Sequence, residues 1–232
     1  MKNIGFIGAF DKLDLLLYLS KILTLLGKRV VIIEATKQEK AKYIVPVIQP
    51  TKTYITSFEN IDIAIGFDTY EAIEQYIQTT ENKKITYDYA LVNIDTPEAF
   101  GNFYNQDTIK TYFATSFELY SIKKGLETIS KIKQPVEVTR LLFSSEINQE
   151  DNYYLEYLSL GYKVKWNEKI INFPYETKDM EVMIENEKMN KIKMKYLSSA
   201  YRDSLEYVIM DIIPDVHTVN LRRVMKNIEK EG

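Results

Sequence analysis

Cysteine is absent from this chain of 232 residues, and histidine occurs once, at position 217. The first absence excludes disulfides, thiolate metal sites and a cysteine nucleophile; the second removes histidine clusters and most zinc chemistry. A surplus of basic charge is missing too. Thirty Lys and Arg face 33 Asp and Glu, a net charge of −3, so no global field draws the molecule to nucleic acid or anionic lipid and any such contact has to be local. Long apolar runs are also lacking. Residues 13–26 are rich in leucine but carry Asp14, Ser20, Lys21 and Thr24, and are too short to span a bilayer. The apolar N-terminal segment is interrupted by Gly8, Asp11, Lys12 and Asp14, which does not read as a signal peptide. These absences fit a cytoplasmic protein.

What is present is an alternation of short apolar runs with helical patterns. With 45% hydrophobic and 27% charged residues the chain can bury one sizeable core. Strands are expected at 3–7, 30–33, 53–58, 61–65, 89–94, 109–114, 138–143, 163–166 and 170–173, with an edge strand or loop at 44–49 around Pro46. Helices are expected at 13–26, 70–79, 116–132 with Ser116 as its N-cap, 152–160 and 199–213, the last stopped by Pro214. Short strands alternating with helices imply an α/β fold: a mainly parallel sheet of about seven strands, three layers, helices on both faces, and ligands at the carboxyl ends of the strands. No repeat, low-complexity tract or long polar linker divides the chain. The expected organisation is one domain over residues 1–214 and an amphipathic tail over 215–232.

The opening is the most informative stretch. A strand feeds the turn Gly8-Ala9-Phe10-Asp11-Lys12, which feeds a helix. That architecture cradles phosphates, because free N–H groups and the helix dipole converge there. A working loop also needs glycines that let the backbone curl around the phosphates, a lysine that reaches the outer ones and a neighbouring hydroxyl for magnesium. Lys12 is in place; Asp11 stands where the last glycine belongs and Leu13 where the hydroxyl belongs. A carboxylate about 4 Å from a phosphate charge costs roughly 1 kcal/mol in water and several times that when half buried. Glu34 and Asp95 end strands that should be neighbours, but without a mapped nucleophile or oxyanion donors they do not compose an acid–base pair.

The order of these elements resembles the ParA/MinD family of deviant-Walker P-loop ATPases, which partition plasmids or position division and pilus machinery. The resemblance rests on the loop Ile7-Gly8-Ala9-Phe10-Asp11-Lys12-Leu13, on Gly27-Lys28-Arg29-Val30 through Glu34-Ala35-Thr36, and on Tyr87-Asp88-Tyr89 through Ile94-Asp95-Thr96-Pro97. It implies a P-loop NTPase-like fold and a vestigial nucleotide site formed by Gly8, Asp11, Lys12, Leu13, Glu34 and Asp95, with Asp95 the magnesium-side carboxylate if the metal binds. The departures cluster in the loop: Ile7 for the lysine that crosses the dimer, Ala9 and Asp11 for glycines, Leu13 for the magnesium hydroxyl. The implied function is a non-hydrolysing positioning or scaffold protein, homodimeric and working through protein contacts in a bacterial partition, pilus or secretion system. No cofactor is expected, with magnesium-ATP the alternative. Two rival readings are a slow ATPase using Lys12 and Asp95, and a nucleic-acid-binding module acting through a local basic strip.

Two surface features remain. Tyr153, Tyr154 and Tyr157 share one helix and read either as a contact face or as packing against the sheet. In the tail, Leu221, Val224, Met225 and Ile228 recur at helical spacing opposite Arg222, Arg223, Lys226 and Lys230. With no Trp or Phe anchor, its contact with a membrane is expected to be weak, and docking on its own core or a second subunit is the expected fate.

Overall fold

The computed structural model describes residues 1–46, 51–80, 86–132, 134–144, 149–174 and 176–230. Its centre is an eight-stranded sheet in the order β3-β4-β2-β5-β1-β6-β7-β8. The strands are β1 (Lys2–Ile7), β2 (Val30–Ala35), β3 (Tyr54–Phe58), β4 (Ile61–Ile65), β5 (Tyr89–Ile94), β6 (Thr108–Thr115), β7 (Val136–Phe143) and β8 (Val164–Phe173). All neighbours run parallel except the β3–β4 pair. That pair is a hairpin turning at Glu59 and Asn60, both at positive φ (48° and 65°), the two-residue geometry whose twist matches the strands. Burial on both faces explains the nearly continuous apolar runs VVII and YALV.

The helices are α1 (Leu13–Leu25), α2 (Ala41–Ile44), α3 (Tyr70–Thr80), α4 (Pro97–Phe103), α5 (Leu119–Thr128), α6 (Gln149–Ser159), α7 (Thr177–Met189), α8 (Ser199–Ile212) and α9 (Thr218–Lys230). Strand alternation divides the core in two. Ile4, Phe6, Val30, Ile32 and Leu91 face α1, α7, α8 and α9; Ile7, Val31, Ile33, Val92 and Ile94 face α3, α4, α5 and α6. The three-layer, mainly parallel α/β architecture is therefore the one the sequence implies.

Several local expectations are corrected. The sheet has eight strands rather than about seven: of the nine stretches expected as strands, 163–166 and 170–173 are one strand, β8, with an irregular register opposite Val138 and Arg140, and the rest each form a strand. Helix α5 begins at Leu119; Ser116 lies outside it, accepting the Glu118 N–H at 3.4 Å. Of the stretch 44–49 expected as an edge strand or loop, Ile44 instead ends the short helix α2, Val45 is extended and Pro46 is non-helical, and 47–49 lie outside the described residues. Helices α4 and α7 were not expected. The first is only seven residues long with Gly101 inside it, though Thr96 caps it and Pro97 opens it, both favoured positions. The inner face of α7 carries polar Asp179 and Asn186, which blur its periodicity. Tertiary partners satisfy both: Asp179 accepts the Ser198 N–H at 2.6 Å and its hydroxyl at 2.9 Å, while Asn186 donates to the Tyr18 hydroxyl and the Lys193 carbonyl.

The tail helix α9 lies on this core, with Leu221, Val224, Met225 and Ile228 all buried. Each such side chain stabilises by about 1.5–3 kcal/mol before the entropy of ordering the helix is subtracted, and each net kcal/mol is worth about 2–4 °C in a chain of this size. Truncation after Asp215 is accordingly expected to lower the melting temperature by at least about 5 °C, and an unchanged melt would show that α9 does not pack.

Candidate functional site

The chain reverses its direction across the sheet at β1: β2 and β4 lie to one side, β6, β7 and β8 to the other, and β5 fills the gap beside β1. Beyond the carboxyl ends of β1, β2 and β5, where such sheets bind ligands, lies a cavity of about 600 Å³. The turn Gly8–Lys12, Thr36 and Lys37 after β2, Asn93 and Asp95 from β5, and Lys124 of α5 all line it. Of the six residues singled out from sequence, Gly8, Asp11, Lys12 and Asp95 share this cavity. Glu34 opens onto a neighbouring one of about 490 Å³, and Leu13 is fully buried in the core beneath α1.

Backbone sterics set the turn. Gly8 has φ +132°, and a Cβ there would stand 2.2 Å from the Ala114 carbonyl oxygen, so only glycine lets β1 leave the sheet this close to β6. The Gly8 N–H donates to Ile94 O at 3.1 Å, tying the turn to the end of β5.

Every charge at the turn has an internal partner. Lys12 is buried, and its Nζ donates to the Gly8 carbonyl at 2.8 Å and more loosely to that of Phe10 at 3.5 Å. Burial lowers its pKa to about 8 against the opposing pull of Glu34, Asp95 and Asp11. Asp11 Oδ1 accepts the Leu13 N–H at 3.2 Å, so a carboxylate of the chain itself occupies the positive N-terminus of α1. Asp11 Oδ2 lies 2.7 Å from Lys40 Nζ, which also reaches Asp14 at 3.5 Å and Glu187 at 2.7 Å. Burial raises the Asp14 pKa to about 6, with Lys40 pulling it back down.

Glu34 is buried and braced: Thr36 donates its hydroxyl at 2.5 Å and its N–H at 3.3 Å, and the Asn93 amide donates at 3.1 Å. Burial raises its pKa. Asp95 Oδ1 accepts the Lys37 N–H at 2.9 Å. Glu34 and Asp95 thus pin the turn after β2 to the end of β5. Among the described residues no group of three or more His, Asp or Glu side chains is placed to hold a metal ion. Sequence reasoning missed Lys40, Asn93 and Glu187. Nothing in the local pattern marks Lys40; its partners come from three elements, and one of those was the unexpected helix α7.

No protein-family model matches the chain, and no curated protein matches it in sequence. Solved structures do match in shape. MinD from Aquifex aeolicus, in its complex with MinC, superposes with a TM-score of 0.55 at 16% identity, over 94% of this chain and 98% of that one. A ParA family ATPase from Chlorobium tepidum gives 0.51 at 12% identity, over 99% and 98%. A putative plasmid partition protein from Borrelia burgdorferi, solved with AMPPNP bound, gives 0.52 at 10% identity, over 91% and 99%. At these identities the likeness establishes the fold, which is ParA/MinD-like and of the P-loop NTPase kind.

A buried lysine with a depressed pKa has a definite pH signature. The unfolded chain holds the Lys12 proton up to about pH 10.5 and the folded chain only to about 8, so the burial penalty is complete below pH 8 and relieved as pH rises through that window. Measured against a Lys12→Met variant, the stability of the native chain is expected to climb between pH 8 and 10 by up to about 1.4 kcal/mol per unit. A flat difference across that range would place Lys12 in water.

Proposed function

We propose that this chain uses a ParA/MinD-like fold as a non-hydrolysing positioning or scaffold protein, acting through protein contacts rather than nucleotide turnover. One observation carries the reading: Asp11, held by Lys40, fills the helix N-terminus that a phosphate would need. Three others support it. Leu13, at the position of the magnesium hydroxyl, is an apolar core residue with no oxygen to offer. The Lys12 ammonium is turned back onto carbonyls of its own loop. Asp95, at the position of the magnesium-side carboxylate, is engaged with the Lys37 N–H. The residues present therefore do not fit magnesium-ATP in the pose its phosphates would require. Work in a bacterial partition, pilus or secretion system is part of this proposal, and what supports it is the likeness in fold. Among the described residues no helix is long and apolar enough to cross a membrane.

The test is turnover and binding together. Purified protein is expected to hydrolyse ATP no faster than a Lys12→Ala variant, and magnesium-ATP is expected to leave its melting temperature unchanged, whereas a ligand at about 100 times its dissociation constant would add about 2.7 kcal/mol. Magnesium-dependent hydrolysis that vanishes in Lys12→Ala would replace this reading with that of a slow ATPase.

Removing the internal carboxylate and restoring the hydroxyl should reopen the seat. An Asp11→Gly, Leu13→Thr double variant is expected to gain measurable affinity for ATP by titration calorimetry, since Gly8, Lys12 and Asp95 remain and Lys40 loses one of its two nearest anions. A folded double variant that binds nothing would show that the loop has changed shape rather than ligands.

A further inference from the structure

We propose that this chain binds further copies of itself head to tail, through the exposed tyrosine face of α6 and the exposed basic face of α9. Helix α6 is held to the sheet from one side. Leu155 is its fully buried apolar residue, and the buried Arg140 guanidinium donates to Asn152 at 2.9 Å and Glu156 at 2.6 Å. The opposite side is open: Tyr153, Tyr154, Tyr157 and Leu160 are 65%, 45%, 68% and 79% exposed. Their spacing, i, i+1, i+4 and i+7, draws one stripe about 10 Å long. The helix carries Glu150, Asp151 and Glu156 and no Lys or Arg; Glu156 is paired with Arg140, and it is chiefly the exposed rings, with this lack of basic charge, that suit a cationic partner. These tyrosines therefore do not pack against the sheet, the second of the two readings their spacing allows.

The same chain supplies a matching surface. Helix α9 spends its apolar face on the core, which leaves Arg222, Arg223, Lys226 and Lys230 exposed at i, i+1, i+4 and i+8, a stripe about 12 Å long. The ion pair that α9 makes among the described residues is Glu229 to Arg202, at 3.4 Å; the four basic side chains make none. One stripe offers tyrosine rings amid carboxylates, the other guanidinium and ammonium groups that stack on such rings and pair with such acids. They lie on opposite sides of the sheet, α6 over the layer of α3 to α5 and α9 against α1. They cannot meet within one molecule. Two copies can meet, each using a different surface, and such a contact extends into rows instead of closing on itself as a two-fold dimer does.

The proposal does not depend on the reading of the loop: nucleotide binding or its absence leaves both stripes as they are, and the experiment contains no nucleotide. Sedimentation equilibrium of the full chain is expected to show a mass that grows with concentration beyond the dimer at about 0.01 M salt and falls towards the monomer at about 1 M, where the Debye length drops from about 30 Å to about 3 Å. A Tyr153→Ser, Tyr157→Ser variant blocks one end and an Arg222→Glu, Lys226→Glu variant the other. All four positions are exposed, so both variants should melt with the native chain while associating at least about tenfold more weakly. Mixed in equal amounts they are expected to form a dimer and nothing larger, each contributing its intact end. A native chain that stays monomeric at low salt, association undiminished in either variant, or a mixture that stays monomeric overturns the proposal, the first by assigning the tyrosine stripe to a partner of different sequence.

Discussion

A single ammonium group organises the functional end of this molecule. Lys40 Nζ is shared by Asp11 on the turn after β1, Asp14 in the first turn of α1 and Glu187 near the end of α7. Burial alone would lower its pKa; the charges of Asp14 and Asp11, with Glu187, outweigh that and hold it raised. Three carboxylates this close repel one another, and without the cation between them the loop, the first helix and the outer helix would be pushed apart. With it, the turn is held so that Asp11 reaches the Leu13 N–H, and α7 is drawn over the N-terminus of α1. The Lys40 side chain is 31% exposed, so its worth lies in placing three elements more than in total stability.

The fold and the site part company here. Parallel strands with crossover helices put backbone N–H groups and a lysine at the end of β1, and Gly8 is obligatory there because β6 passes too near for a side chain. Those features belong to the architecture, and an architecture does not settle what is bound. The side chains that would convert the turn into a phosphate cradle are an acid and an aliphatic residue, and the acid is used internally. A folded chain can keep such a loop because its geometry serves the sheet, independent of any ligand.

The outer layers follow the same logic of internal polar fastening. Asp179 ties α7 to the start of α8 through Ser198. Asp211, on α8, accepts the Tyr112 hydroxyl at 2.7 Å and pairs with Lys110 and Lys169, which together hold its pKa low against the effect of burial. These contacts fix a face of helices over the sheet and turn the apolar side of α9 inwards. What α9 then shows to solvent includes the four basic side chains, and what α6 shows includes the three tyrosines. The surface chemistry of the molecule is in this sense a remainder, left over once the core has taken what it needs.

By itself the sequence determined the layered architecture and the loop. Runs such as VVII and YALVNI can only be strands buried on both faces, the leucines of α1 can only cover them, and Gly8 to Leu13 can be read against what a phosphate requires, because each is a local pattern of adjacent residues. Tertiary structure decided the rest. Helix α7 was hidden because Asp179 and Asn186 look solvated until Ser198 and Tyr18 are beside them; the strand at 164–173 looked broken because its irregular centre is stabilised by β7 and not by its own periodicity. Lys40 looked like any surface lysine, since its three partners are 29, 26 and 147 residues away. Local periodicity records burial, whereas the pairing of distant charges depends on how the chain closes on itself, and that is decided only when the sheet is assembled.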